Sequence, residues 1–73
     1  MDLNQILKAV NHAESTKGFR PNTITFYPLD WELLKIEYGK KINKVIRNAN
    51  TLYGLKVVKD ASMQPGRFII QEL

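Results

Sequence analysis

The chain reads as α+β: one small single domain, with helices packed on a short, mostly antiparallel sheet. Three observations predict this class. Apolar residues near the start recur at helical spacing, and a second helical stretch follows a proline. Three runs rich in β-branched and aromatic residues, at 23–27, 55–59 and 67–71, read as strands. With 73 residues, the chain has room for a single core.

Residues 2 to 17 predict an amphipathic helix, because Leu3, Ile6, Leu7, Val10 and Ala13 fall on one stripe. Asp2 is placed to cap its N-terminus, and Gln5, three residues on, fits a capping box. Lys17 complements the C-terminal dipole, Gly18 suits a left-handed C′ position, and Pro21 prevents continuation. In the run from Thr23 to Tyr27, alternation puts Ile24 and Phe26 on one strand face. Pro28 then suits the first turn of a second helix, where a missing N–H costs nothing. Asp30 and Glu32 lie near the positive start of that helix. Leu29, Leu33 and Ile36 line one side, and Trp31, Leu34 and Tyr38 another. The expectation is a helix buried over a wide arc, ended or bent at Gly39.

Residues 40 to 50 admit two readings. Ile42, Val45, Ile46 and Ala49 keep helical spacing, with Lys40, Lys44 and Arg47 opposite and Lys41 beside them. A strand over 42 to 47 would mix polarity on both faces, so helix is favoured. Leu55 to Lys59, entered through Gly54, and Arg67 to Gln71 are the closing strands. Asp60, Ser62, Pro65 and Gly66 mark the connection as a turn region. Strands this close in sequence are expected to pair with each other, antiparallel.

Composition excludes much chemistry. The chain has no cysteine, which removes disulfides, thiolate metal sites and cysteine nucleophiles. One histidine cannot build a His-rich metal cluster. Gly18, Gly39, Gly54 and Gly66 are isolated, so no phosphate-cradling loop is present. His12 lies off the apolar stripe, with Glu14 two residues away and on another face, and reads as a surface histidine. Asp30 with Glu32, and Glu37 with Asp60, read as ordinary surface acids rather than an acid–base pair. The expectation is a chain without catalysis, metal or cofactor. No apolar run reaches the ~18 residues of a membrane span. The N-terminal residues lack the pattern of a signal peptide. No membrane association is expected.

The net charge is +4. Lys40, Lys41, Lys44 and Arg47 place four positive charges within eight residues, equal to that whole excess. If helical, they form a ridge able to meet phosphates or an acidic partner. The plainer reading is a solvated basic face, since only Tyr38 and Tyr53 flank the cluster as stacking aromatics. Trp31 is an interface anchor or a core residue, and its place beside leucines favours core. Met63 and Pro65 contact a partner or simply fill a turn.

Several pieces, taken in order, resemble a family. The opening helix runs into Gly18-Phe19-Arg20-Pro21-Asn22 and a strand. Tyr27-Pro28-Leu29-Asp30-Trp31-Glu32-Leu33-Leu34 follows, then Leu52-Tyr53-Gly54-Leu55-Lys56-Val57-Val58, then Met63-Gln64-Pro65-Gly66-Arg67-Phe68-Ile69-Ile70. This is similar to the axial domain of the tailed-phage major capsid proteins, over roughly residues 3 to 71. The resemblance implies that Pro28 and Asp30 start a helix, that Trp31 packs under it, and that Gly54 and Gly66 turn into strands. Tyr27 stands where the family has Asn before the proline, and Lys56 where it has Pro. A complete capsid subunit is several times longer, with a peripheral domain, spine helix, extended loop and N-terminal arm. The resemblance therefore implies a capsid-like phage or prophage protein in the virion or host cytoplasm. It would act by contact with a capsid subunit, with itself as an oligomer, or with a host protein. The alternative is a small basic regulator binding nucleic acid through residues 40 to 47.

Overall fold

The computed structural model describes residues 2 to 38 and 51 to 73. Their elements are α1 (Leu3–Ser15), β1 (Thr23–Phe26), α2 (Pro28–Tyr38), β2 (Thr51–Leu52), β3 (Leu55–Lys59) and β4 (Phe68–Gln71). The four strands form one mixed sheet in the order β2-β3-β1-β4. The fold is a small α+β domain, as the periodicities predict. The two readings of residues 40 to 50, the role of Gly39, and the basic cluster lie outside the described residues.

The N-terminus of α1 is capped as expected. The Asp2 Oδ1 accepts from the Asn4 N–H at 2.9 Å. Ile6 and Val10 are buried, and Leu3 packs against the same core. The exit differs from expectation by one residue. Thr16 is the C-cap, with its N–H donating to the Ala13 carbonyl. The left-handed residue, Gly18 at φ +82, therefore stands one position past C′. Ser15 and Thr16 hydroxyls both donate to the His12 carbonyl, at 2.8 and 3.1 Å, which closes the helix before it reaches Lys17.

β1 lies between β3, parallel to it, and β4, antiparallel to it. Ile24 pairs in register with Val57 on one side and Ile70 on the other, so the apolar rows align across the sheet. Ile24 and Phe26 are fully buried. Thr23 and Thr25 are buried too, which alternation alone did not predict. A central strand is shielded from both sides, here by Lys56 and Gln71, and by Val58 and Ile69.

The expected hairpin between the last two strands does not form. β3 and β4 flank β1 on opposite sides. Residues 60 to 67 step over the end of β1, where the Asp60 N–H donates to the Phe26 carbonyl at 2.9 Å. That step is about two strand spacings, or ~10 Å, well within the reach of eight residues. The hairpin that does form joins β2 to β3, and β2 was not read from the sequence. Its two turn residues, Tyr53 at φ 51 and Gly54 at φ 81, are both left-handed, as a type I′ turn requires.

Asn22 extends the β1–β4 ladder with its side chain. Its Nδ2 donates to the Leu73 carbonyl at 2.8 Å, and its Oδ1 accepts from the Leu73 N–H at 2.9 Å. The amide thus imitates a backbone unit just before the strand.

Candidate functional site

α2 follows β1 after one residue. The Tyr27 carbonyl accepts from the N–H groups of Asp30 and Trp31, which sets Pro28 in the first turn. That start fixes which residues turn inward. Trp31 is fully buried and stacks on Phe26, with ring centroids 5.6 Å apart and 16° between planes. Leu34 is buried and Tyr38 packs against the core. The Lys35 ammonium lies 5.8 Å from the Trp31 ring centroid and 3.1 Å from the Glu32 carboxylate.

The opposite side of α2 corrects the wide-arc expectation. Leu29, Leu33 and Ile36 are 57%, 50% and 79% exposed. One apolar strip, Trp31 with Leu34 and Tyr38, packs into the core, and the other faces solvent. Three large apolar residues on one stripe exceed the scattered exposure ordinary for a surface. Beside them is a depression of about 90 Å³, lined by Asp30, Leu33, Leu34 and Glu37.

Asp30 does more than favour the helix start. Its Oδ2 accepts from the Gly66 N–H at 2.7 Å, across 36 residues of sequence. This bond ties the first turn of α2 to the turn before β4, where Gly66 has φ +83. Nearby, the Asp60 Oδ1 accepts from both the N–H and the hydroxyl of Ser62, at 2.9 and 2.7 Å. The hydroxyl bond chiefly, then the backbone bond, holds the Asp60 carboxyl below its ordinary range. A groove of about 370 Å³, lined by Asn22, Thr23, Lys56, Val58 and Leu73, lies elsewhere. Among the described residues, Lys56 is its one charged side chain.

The structure places the other predicted residues as follows. Lys40, Lys41, Lys44 and Arg47, the proposed phosphate or partner contacts, lie outside the described residues. Pro28, Asp30 and Trp31 come together at the start of α2, and Gly54 and Gly66 occupy left-handed turns before β3 and β4. Trp31 is core, so it is no exposed anchor. His12 is exposed at the end of α1. Met63 is half-buried and its N–H donates to the Asp60 carbonyl, while Pro65 is exposed. Burial and two neighbours, first Asp2 and then Tyr38, push the Tyr53 phenol up from its usual value. Sequence reasoning placed Leu29, Leu33 and Ile36 on one helical face but expected that face to be buried.

Among the described residues, no helix is long and apolar enough to cross a membrane. Neither a protein-family model, nor a curated protein, nor a solved structure matches the chain.

Proposed function

We propose that this chain acts by protein–protein contact, as a capsid-like component or capsid-directed regulator of a phage or prophage. The observation that carries the contact reading is the exposed apolar stripe of Leu29, Leu33 and Ile36 on α2. The capsid as partner is supported by the ordered motifs from Pro21 to Ile70. No catalytic step belongs to this reading, which rests on a surface rather than on a constellation of reactive groups.

The test is co-sedimentation with purified virions and pull-down from infected cells, with wild type beside Leu33→Ser and Ile36→Ser. Wild type should retain capsid subunits, and both variants should lose them. Retention of no capsid or host protein would sink the reading. A second reading draws on the charge distribution. Removing Lys40, Lys41, Lys44 and Arg47 from the 11 Lys and Arg leaves seven, against seven Asp and Glu. The excess that could bind phosphates is thus local to that segment. Binding to DNA that falls steeply with salt, and is lost on Lys→Ala changes there, would favour this alternative.

A further inference from the structure

The partner surface of α2 carries charge as well as apolar area. At about 100° per residue, Leu29, Leu33 and Ile36 share one narrow stripe. On the same wheel Glu32 borders it on one side, and Glu37 and Asp30 border it on the other. The single cation of this helix, Lys35, lies well round from the stripe and is engaged with Glu32 and the Trp31 ring. The depression beside Leu33 combines an apolar floor, Leu33 and Leu34, with two carboxylates, Asp30 and Glu37. Asp30 uses its Oδ2 to accept from the Gly66 N–H. An apolar floor under two carboxylates fits a long side chain with an aliphatic stem and a cationic head.

We propose that α2 docks a basic amphipathic helix of a partner protein. Apolar residues of that helix cover Leu29, Leu33 and Ile36, and one Lys or Arg lays its stem in the depression with its head between Asp30 and Glu37. This rests on the contact reading above and names the partner's chemistry. Apolar cover alone would accept any amphipathic segment, and the acidic borders select a basic one.

The test uses the whole chain and two labelled 16-residue probes of equal apolar pattern, one Leu/Lys and one Leu/Glu. Fluorescence anisotropy should show the Leu/Lys probe binding at least ~10-fold more tightly, with the difference shrinking at high salt. Glu37→Lys should weaken Leu/Lys binding by ~10-fold or more, and Ile36→Ser by a similar factor. Glu37 and Ile36 are exposed, so circular dichroism should show both variants folded. Equal binding of the two probes, or binding insensitive to Glu37→Lys, would overturn the proposal. Failure of the probes while capsid retention still depends on Ile36 would overturn this charge selection and leave the contact reading standing.

Discussion

Single residues fix the turns of this fold, and their contributions separate cleanly. Gly54 has φ +81, and a Cβ placed there meets nothing within 4 Å. The penalty for Gly54→Ala is therefore conformational alone, about 1–2 kcal/mol. Urea unfolding should show that loss with an unchanged m-value. Asp30 works differently, through its charge-assisted bond to the Gly66 N–H. Asp30→Ala should cost about 1–2 kcal/mol, and Asp30→Asn less, because an amide oxygen still accepts. Equal losses in the two variants would count against that bond. Asp60 gives a pH signature. Its carboxyl sits below the ordinary 3.8 because Ser62 bonds the charged form. The sign follows from that direction. The bond's contribution is present above the unfolded-state value and fades as pH falls through the lower folded-state value. NMR titration should place Asp60 below 3.8, and Ser62→Ala should move it upward toward that value. These residues were partly legible. Gly54 and Gly66 announce turns by composition. The partner of Asp30 was not legible, because it lies 36 residues away.

At the scale of elements, α2 shows what periodicity does and does not tell. Two apolar strips were readable in its sequence, and the choice of which one faces the core was not. That choice belongs to Phe26, which offers its ring to Trp31. The two strips should respond oppositely to substitution. Trp31→Ala removes a fully buried indole and should cost about 3–5 kcal/mol. A domain of this size holds only about that much in total, so the variant should be unfolded by circular dichroism at 25 °C. Ile36→Ser, at a residue 79% exposed, should shift stability by less than ~0.5 kcal/mol while removing partner binding. A large loss on Ile36→Ser would show the strip to be covered in the isolated chain. β2 illustrates the opposite failure. Two residues cannot display a period, and only the left-handed pair Tyr53-Gly54 betrays the hairpin.

For the whole molecule, the decisive fact is that β1 holds the middle of the sheet although it comes first among the strands. Alternation put Ile24 and Phe26 on one face of β1 but carried no information about neighbouring strands. The parallel β1–β3 pair follows from the loop over the end of β1, anchored by Asp60 to Phe26 and by Gly66 to Asp30. The helix start at Pro28 and the turns at Gly54 and Gly66 were legible in the same limited way, as local features. This arrangement predicts how the molecule opens. β1 is paired on both sides and carries two fully buried residues, Ile24 and Phe26, on which both neighbouring strands and Trp31 pack. Freeing its amides requires breaking the sheet and the core together, so they should exchange only by global unfolding. β2 and β4 are the edges of the described sheet, with two and four residues, each paired on one side. Native-state hydrogen exchange should therefore rank Thr25 and Phe26 as slowest, with edge-strand amides at least ~10-fold less protected. A hairpin of β3 with β4, as sequence proximity suggests, would instead protect the facing amides of those two strands together and leave β1 the labile edge. The exchange pattern distinguishes the two topologies without reference to any partner.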